Sequence, residues 1–590
     1  MIFTADHFDR HWRLLVTFFW LATAAAFVWA RWQYIGWFAL GDTDDNLRMM
    51  EARALLAGQG WFDLRQYRLD PPYGADIHWS RLVDLPLAGL MLLFRLFMSG
   101  AEAEKVAVAV APMLPMGVAM ASLAILCRRL IAPTAYIFAL LLLLYAHSAK
   151  SMWLPLRIDH HGWQLAMLSL VLLGLTDRKR ARGGAVTGIA TALSLSIGLE
   201  MLIYLAVAGA ATALMWIRDA GQARRLAAYG ASLAGGTTLG YLIFASDANR
   251  APVCDALSPV WLSVMAAAGA LAVLLAWLRL GRPLLRLAAA ALAGALLAGG
   301  FALAWPDCVS RPEGVSPELY KMWLSHVREA RPIYTHSWQT IVNGLALPVA
   351  GLIGYGVTIW RLRRDEAALT PWAAIALSAL IAVALLFWQT RATPAAQLLA
   401  IPGAAALAWM VVGRAWSIPN LALRAVAVLV AFLLISGIAV QWVVRAFPEP
   451  TSAGAKAVSA ANAKCPTLAA LRPIALRPKG YVLTHVDLGP RLITVTHHDA
   501  VAGPYHRNGD AILDVMQAFR GSADNAHAIV ARRGIDYVLI CPNLSESTIY
   551  RSRAPQGFYV QLSRGQVPDW LEPIALPKNS PYRMWRVVRR

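Results

Sequence analysis

The stretch YIFALLLLLYAHSAKSMWLPLRIDHHGW, residues 136–163, joins an apolar run to one carboxylate and two imidazoles. Similar apolar runs recur along the 590-residue chain, of which 58% of the residues are hydrophobic and only 15% are charged. Many apolar segments of about 20 residues are typical of polytopic α-helical membrane proteins, because that length spans the hydrocarbon core and a helix satisfies its own backbone groups. The polar cluster therefore lies at the mouth of a predicted span, and its role depends on the side of the membrane that it faces.

Positive charge indicates the orientation of the chain. The net charge is +20, from 54 Lys and Arg against 34 Asp and Glu, and most of the excess lies in short loops such as DRKRAR (177–182) and RLRR (361–364). Such loops are typical of the cytoplasmic side, so we interpret the charge as an orientation signal rather than as a nucleic-acid-binding surface. The sequence predicts a multi-pass protein of the cytoplasmic (inner) membrane, with its N-terminus in the cytoplasm and no nucleic-acid partner.

Assigning the basic loops to the cytoplasm gives about thirteen predicted spans, with every strongly basic loop on the same side. The predicted spans are 13–40, 105–127, 133–149, 162–175, 184–199, 201–216, 227–245, 258–279, 284–305, 338–360, 371–389, 395–412 and 422–443. A further apolar segment at 82–99 is interrupted by Arg95 and is predicted to lie along the outer interface.

The same assignment places the polar loops on the exterior face. These loops are 41–81, 150–161 and 306–337, and they belong to a predicted membrane domain that covers residues 1–445. Residues 446–590 contain no span but alternate strand-like runs (GYVLTHV, RLITVT, DYVLIC) with helix-like runs (AILDVMQAF, ADNAHAIVARRG). This alternation predicts a small C-terminal α/β domain on the exterior, or periplasmic, side.

Four of the five cysteines fall in segments predicted to be exterior. They are Cys254, Cys308, Cys465 and Cys541. An even set outside the cytoplasm allows the disulfides Cys254–Cys308 and Cys465–Cys541, and four unpaired small residues are the equally open alternative.

Two acidic clusters lie at exterior mouths of predicted spans. Asp42, Asp44 and Asp45 bunch where a helix is expected to begin, and helix capping accounts for one or two of them. Three neighbouring carboxylates repel one another unless a cation is present. Asp159 and His161 at the second mouth offer an oxygen and a nitrogen that suit a divalent cation, so the clusters predict a shared ion.

Three further residues are candidates by position. Glu329 lies in a polar loop that is longer than most connections between spans. Loops of this length more often have a function than not. Arg391 lies on the exterior side, against the positive-inside bias, where it either binds a lipid phosphate or snorkels to the interface. Glu200, between two predicted spans on the same face, is a lesser candidate.

In this order and on this face, the motifs resemble those of the GT-C superfamily of membrane glycosyltransferases, above all the catalytic subunit of archaeal and bacterial oligosaccharyltransferases. About thirteen spans followed by an exterior α/β domain is the architecture that this resemblance implies. Asp42 followed six residues later by Arg48 matches the spacing in the family's first exterior loop. A branch resembling protein O-mannosyltransferases opens a helix with an acidic pair, which favours Asp44 and Asp45.

Three later motifs extend the resemblance. The sequence Asp-His-His at 159–161 is similar to the second exterior loop of archaeal oligosaccharyltransferases, in which the first and third residues bind the metal. The segment VREARP at 327–332 resembles a motif whose glutamate, here Glu329, touches the metal and the acceptor amide. An arginine near the outer end of a late span binds the donor pyrophosphate in the family, and Arg391 matches it.

One family motif is missing. The acceptor-recognition motif Trp-Trp-Asp is absent, and the segment most similar to it is HVDLG at 485–489, which shares only Asp-x-Gly. His485 and Asp487 are therefore the acceptor-binding candidates, and the acceptor is predicted to be either a protein or a glycolipid.

The resemblance implies an exterior transfer of a sugar or an oligosaccharide from a polyprenyl-phosphate or -pyrophosphate donor by a monomeric membrane enzyme. Asp42, Asp159 and His161 would bind Mg²⁺ or Mn²⁺, and Arg391 the donor phosphate. The catalytic candidates are Asp42, Asp44, Asp45 and Glu329. Two alternatives stay open: a single-sugar transferase that modifies lipid A or a cell-envelope glycan, and a polytopic transporter or flippase, which would carry ionisable residues near the membrane midplane.

Overall fold

The computed structural model of the protein describes residues 5–310, 314–449 and 452–589. The helices in the first half of the chain are α1 Ala5–Arg10, α2 Trp12–Ala30, α3 Trp32–Gly36, α4 Thr43–Leu56, α5 Asp84–Arg95, α6 Gly100–Val110, α7 Met113–Leu130, α8 Tyr136–Tyr145, α9 His147–Ser151, α10 His161–Leu175, α11 Arg180–Ile197, α12 Leu202–Arg218, α13 Ala223–Phe244, α14 Pro259–Trp277 and α15 Pro283–Ala304. They are followed by α16 Pro306–Ser310, α17 Pro317–Met322, α18 Trp338–Leu362, α19 Glu366–Leu385, α20 Thr393–Trp416, α21 Leu421–Ile435 and α22 Ile438–Ala446. Each predicted span coincides with one of these helices or with two that adjoin at a break.

The helices identify a multi-pass membrane protein. Within the described ranges, seven segments are long and apolar enough to cross a membrane, and an eighth results if α21 and α22, which meet at 74°, form one broken span. The apolar helices α8, α10 and α12 are shorter, with 10–17 residues. The count of about thirteen spans therefore stays a prediction.

Helices α11 and α13 pack closely against each other, although neither is among the seven apolar segments. Both helices have at least 18 residues, but they are rich in glycine and small polar residues rather than in leucine. A Cβ atom at Gly184 would lie 2.0 Å from the carbonyl oxygen of Arg225, and one at Gly188 would lie 2.1 Å from the hydroxyl of Ser232. Small residues let two helices approach this closely, which is a common way for helices to pack in membranes.

The C-terminal region folds as an α/β unit around a mixed sheet, as predicted. Its strands are β3 Tyr481–Leu483, β4 Asp499–Ala500, β5 Tyr537–Ile540, β6 Leu571–Ile574 and β7 Arg583–Val587, in the order β4-β3-β5-β7-β6. A separate pair, β1 Arg65–Gln66 and β2 Ala75–Asp76, lies between α4 and α5. β3 pairs in parallel with β4 and β5, whereas β7 pairs antiparallel with β5 and β6. Its helices are α23 Ala453–Lys464, α24 Leu468–Ala475, α25 Gly489–Val495, α26 Gly509–Arg520, α27 Ala523–Arg533, α28 Ser547–Arg553 and α29 Phe558–Ser563.

One predicted strand is wrong. RLITVT lies mostly within helix α25, which begins at Gly489 with Pro490 in its first turn, a position that suits the fixed φ of proline and its missing N–H. Six of its seven residues are buried, so the segment shows neither the alternation of a half-exposed strand nor the stripe of an amphipathic helix. Tertiary burial has overridden the β propensity of its branched residues.

Helix α25 also attaches the C-terminal unit to α4. The guanidinium of Arg491 donates to the carbonyl oxygen of Phe38 at 2.9 Å, and the hydroxyl of Thr494 donates to that of Asn46 at 3.1 Å. Arg53 on α4 donates in return to the carbonyl oxygen of Thr494 at 2.7 Å. The C-terminal unit is thereby held against the helix that carries the first acidic cluster.

Both predicted disulfides are present. Cys254 is bonded to Cys308, and Cys465 to Cys541. The first ties the 246–258 loop to α16, and the second ties the end of α23 to the end of β5 inside the C-terminal unit.

Candidate active site

The first acidic cluster lies at the start of α4, where Asp42 caps the helix as its position predicts. Its backbone is extended (φ −143°, ψ 166°), and one carboxylate oxygen accepts the backbone N–H of Thr43 at 2.6 Å. The other oxygen accepts from the guanidinium of Arg157 at 2.9 Å. Although burial opposes it, Arg157 lowers the pKa of Asp42, so this carboxylate is ionised.

Arg157 joins the two predicted clusters into one. Besides Asp42, its guanidinium donates to Asp45 at 3.3 Å and to the carboxylate of Asp159. A guanidinium with several N–H groups in a plane can serve carboxylates on different chain segments at once. The sequence showed this arginine beside the Asp-His-His motif but gave no sign of its partners, which are up to 115 residues away.

Asp45 is a buried residue that holds the loop before α10 against α4. One of its oxygens accepts the backbone N–H groups of Ile158 and Asp159 at 2.8 and 3.0 Å. Asp159 in turn accepts the backbone N–H of His161 at 3.0 Å, at the first residue of α10. These bonds fix both acidic residues in the loop geometry, so Asp45 has no open oxygen that faces solvent.

Asp44 differs from both of its neighbours. It is half-buried, and its carboxylate forms no hydrogen bond or ion pair with any residue in the described ranges. Burial, and after it the charges of Asp42, Asp159 and Glu329, raise the pKa of Asp44 well above its usual value. An unpaired carboxyl group with a raised pKa is suited to take a proton near neutral pH.

The structure brings Glu329 and Arg391 together beside this cluster. Nη2 of Arg391 lies 3.9 Å from Oε1 of Glu329, and the two side chains are 43% and 69% exposed. Their short 3₁₀ turns are joined because the backbone N–H of Thr390 donates to the carbonyl oxygen of Arg331 at 2.8 Å. The weak pair and its exposure leave both charged groups able to meet a ligand, and the charge of Glu329 contributes to the raised pKa of Asp44.

The two acceptor candidates in the C-terminal unit have different environments. Asp487 faces the acidic cluster: solvent reaches its side chain, yet burial by the surrounding protein and the charge of Asp42 raise its pKa to about 6. His485 is fully buried, stacks on Phe519 and accepts the backbone N–H of Cys541 at 3.3 Å. His485 therefore contributes to the core of the C-terminal unit and offers no surface to an acceptor.

The central histidine of Asp-His-His pairs with the lesser candidate Glu200. Nε2 of His160 lies 2.8 Å from Oε1 of Glu200, and Gln164 donates to its other oxygen. Although burial opposes it, His160 and then His161 lower the pKa of Glu200 well below its usual value. The two histidines of the motif therefore differ. His160 is buried and paired with Glu200, whereas the ring nitrogens of His161 form no hydrogen bond within the described part of the chain.

The residues predicted to bind a divalent cation suit such an ion in chemistry. Carboxylate oxygens with one imidazole nitrogen are typical ligands of a hard or borderline metal, and the unpaired ring of His161 is available. The surrounding carboxylates outnumber the single guanidinium, so negative charge is left over. In this structure Arg157 bridges Asp42 and Asp159, so an ion at these carboxylates must compete with it.

Searches with the sequence find no relatives: no protein-family profile matches the chain, and neither does any curated protein. Solved structures do match. The archaeal oligosaccharyltransferase AglB from Archaeoglobus fulgidus, in complex with an inhibitory peptide and a dolichol-phosphate, superimposes with a TM-score of 0.66 at 15% identity, covering 96% of this chain and 73% of that chain. The chain has the GT-C fold.

Two further structures of the Archaeoglobus fulgidus enzyme agree. The one tethered through a disulfide to an acceptor peptide with the NVT sequon has a TM-score of 0.64 at 15% identity, covering 93% of this chain and 72% of that one. The complex with Zn and sulfate has a TM-score of 0.57 at 15% identity, covering 85% and 64%. The GT-C fold predicted from motif order is thereby confirmed, although identities this low leave the chemistry to the residues themselves.

Proposed function

We propose that the chain is an integral-membrane glycosyltransferase that moves a sugar or an oligosaccharide from a polyprenyl-phosphate or -pyrophosphate donor to an acceptor. The observation that carries the proposal is the meeting of Asp42, Asp44, Asp159, Glu329 and Arg391 at one face of a GT-C fold. A lipid-linked donor suits this arrangement because its tail stays in the bilayer while its headgroup meets the loops. The structurally similar AglB is in complex with a dolichol-phosphate, which supports the same donor class here.

Arg391 is the residue that would bind the donor phosphate. Its guanidinium is 43% exposed and has only a 3.9 Å contact with Glu329, so a phosphate can replace that partner. Guanidinium groups bind phosphate oxygens through two parallel hydrogen bonds, and this positive charge stabilises the leaving phosphate. When bound, Mg²⁺ or Mn²⁺ held by Asp42, Asp159 and His161 would supply further positive charge at that group.

Asp44 is the residue that would accept the acceptor's proton. In the transfer, an oxygen or nitrogen of the acceptor attacks the anomeric carbon, the bond from that carbon to the phosphate oxygen breaks, and its electron pair leaves with the phosphate. The acceptor loses a proton, which the unpaired carboxylate of Asp44 can take. Glu329, exposed beside Asp44, would orient the acceptor before the bond forms.

The acceptor-facing segment favours a second candidate function, a single-sugar transferase that modifies lipid A or another envelope glycan. Where oligosaccharyltransferases carry Trp-Trp-Asp, this chain has His485-Val-Asp487, and His485 is buried in the core. Asp487 alone faces the cluster and can hydrogen-bond a hydroxyl as well as an amide. For either function we propose a monomeric enzyme of the inner membrane with its site on the periplasmic side, a membrane domain at 1–445 and a C-terminal domain at 446–590.

The test uses purified full-length protein in detergent with the lipid-linked sugar pool extracted from its source cells. Consumption of donor by wild type is compared with Asp44→Asn and Arg391→Ala, and with the controls Asp76→Asn in the first exterior loop and Arg564→Ala in the C-terminal unit. We expect both site variants to lose turnover and both controls to retain it. If wild type consumes no donor but moves it across reconstituted vesicles, the transporter alternative replaces this proposal.

The acceptor is identified in the same assay. Peptides containing Asn-x-Ser or Asn-x-Thr and an extracted glycolipid fraction are supplied separately, and the glycosylated product is detected by mass spectrometry. A labelled peptide supports oligosaccharyl transfer, whereas a labelled glycolipid supports the single-sugar function.

A further inference from the structure

A second cluster of ligand-type side chains lies outside the proposed active site. Among the described residues, His78, Asp255 and His506 are the group of three whose candidate ligand atoms all lie within 4.8 Å of one another. Each comes from a different part of the chain: the first exterior loop, the 246–258 loop and the C-terminal unit. We propose that these three residues bind one Zn²⁺-type ion, which clamps the C-terminal unit to the membrane domain.

The donor set selects the class of metal. Two imidazole nitrogens and one carboxylate oxygen are typical of Zn²⁺, which takes four ligands and can fill the fourth position with water. Mg²⁺ and Ca²⁺ prefer sites made of oxygen ligands, so a cluster with two imidazoles favours Zn²⁺ over either of them. The acidic site has one imidazole and more carboxylates, so Zn²⁺ binding at the two sites must be measured separately.

The contacts at the cluster leave a nitrogen unused. Nε2 of His506 lies 2.6 Å from Oδ2 of Asp255, and the rings of His78 and His506 are 4.7 Å apart between centroids. Nδ1 of His78 is buried and has no hydrogen-bond partner among the described residues. Buried polar atoms are almost always satisfied, so an unpartnered imidazole nitrogen next to a histidine–aspartate pair indicates a ligand.

The chain around the cluster is already fixed. Arg507 donates to both oxygens of Asp255 at 2.8 and 2.7 Å, which orients the carboxylate. The neighbouring Cys254 is anchored to Cys308 by a disulfide, and Asn249 of the same loop donates to the carbonyl oxygen of His78 at 3.3 Å. Supporting hydrogen bonds of this kind hold ligands in place before the metal arrives.

The position of the cluster explains what an ion would do there. Tyr505, next to His506, donates from its hydroxyl to the carbonyl oxygen of Thr43 at 3.0 Å, at the first residue of α4. Trp79, next to His78, packs on His160 with ring centroids 4.6 Å apart. An ion that joins His78 to His506 therefore fixes two residues that support the active-site loops, without contacting the reacting groups.

The test measures Zn²⁺ content in full-length protein in which the acidic site has been disabled by Asp159→Asn and His161→Ala. After treatment with chelator, reloading with Zn²⁺ and gel filtration, we expect about one equivalent of Zn²⁺ per chain. Adding His78→Ala or His506→Ala should reduce this to below about a tenth of an equivalent, whereas the control His497→Ala on the surface of the C-terminal unit should leave it unchanged. Equal Zn²⁺ content in all of these proteins, or none in any of them, overturns the proposal.

Two further measurements use the Asp159→Asn, His161→Ala protein, in which the acidic site cannot contribute and the three proposed ligands are intact. Co²⁺ in place of Zn²⁺ should give visible absorption bands typical of a four-coordinate nitrogen and oxygen site, and Zn²⁺ should raise the Tm of the chelated protein. Bands typical of six oxygen ligands, or a Tm that does not change with Zn²⁺, contradict the clamp. Because neither measurement involves donor turnover, this proposal and the proposed transferase function can fail separately.

Discussion

Helix α4 carries two charged clusters, one turn apart, with opposite character. At its start, the carboxylates of Asp42 and Asp45 join Asp159 around the guanidinium of Arg157, while that of Asp44 has no ion-pair partner in the described ranges. The next turn begins a second cluster, in which the opposite charges balance and every side chain is closed off from solvent.

The second cluster consists of Arg48, Glu51, Arg81 and Asp84. The guanidinium of Arg48 donates to Asp84 at 2.6 Å and to Glu51 at 2.9 Å, and Arg81 lies 3.4 Å from Asp84. Their side chains are 0–3% exposed. Two positive and two negative groups with no access to water are suited to structure, whereas unbalanced charge in an open cleft is suited to binding.

The largest expected effect comes from the first cluster, at the start of α4, which we call the open cluster. Asp44→Asn removes the unpaired carboxylate while keeping its size, and we expect donor turnover to fall by about 10²–10⁴-fold, the usual range for a lost general base. Since Asp44 forms no hydrogen bond or ion pair within the described ranges, the Tm should stay close to that of wild type. The rate of donor consumption is measured for the turnover, and scanning calorimetry gives the Tm. Asp76→Asn is the control for both measurements. Retention of full turnover would show that Asp44 takes no proton.

The second cluster, which we call the closed cluster, should respond in the opposite way: its disruption should lower the Tm rather than the turnover. Arg48→Met leaves the buried carboxylate of Glu51 without its ion-pair partner and Asp84 with only its 3.4 Å contact to Arg81, which costs about 3–5 kcal/mol of stability. We expect a large loss of Tm, with turnover per folded molecule preserved at temperatures where the variant stays folded. The exposed pair Arg218–Glu366 offers a matched control, because removing Arg218 should change the Tm little. If Arg48→Met keeps its Tm but loses turnover, the comparison between the two turns of α4 breaks down.

The contrast was only half visible in the sequence. Apolar runs and basic loops predicted the helices and the face of the acidic residues, because the positive-inside bias acts along the chain and needs no tertiary structure. The sequence also predicted that Asp42, Asp159, Glu329 and Arg391 would share one face. It could not predict which carboxylate stays unpaired, since that depends on contacts between segments 100 residues apart or more.

Three residues show what was missed and why. Arg157 stood in the quoted motif, but a loop arginine carries no sign of its acidic partners until the loops meet. His78 and His506 were unmarked because single histidines far apart in sequence form no motif. The segment RLITVT was wrongly predicted as a strand because a nearly fully buried segment has no periodicity that distinguishes a helix from a strand.

A substitution of Arg157 tests whether this residue competes with a cation in the open cluster. Arg157→Met removes the guanidinium that bridges Asp42 and Asp159, so those oxygens become free for a cation. We expect the Mn²⁺ affinity of this site to rise roughly tenfold. The affinity is measured by electron paramagnetic resonance titration in a buffer without EDTA. Arg178→Met, in the loop between α10 and α11, is the control. Unchanged or weaker Mn²⁺ binding would mean that Arg157 does not compete for these carboxylates and that the ion, where it binds, uses other ligands.

The smallest expected effect concerns Asp487, which faces the open cluster from the C-terminal unit. Its pKa is about 6 in the folded protein and about 4 in an unfolded chain, so between these pH values the folded state binds the additional proton. A rise from about pH 4 to about pH 6 therefore removes stability that Asp487→Asn, which cannot titrate, does not lose. The Tm of wild type relative to this variant should fall across that window and then level off. In an Asp42→Asn background the window should narrow, because the charge of Asp42 raises the pKa of Asp487. The exposed Asp524 of the same unit serves as the control: if Asp524→Asn and Asp487→Asn give parallel curves, Asp487 does not face the acidic cluster in solution.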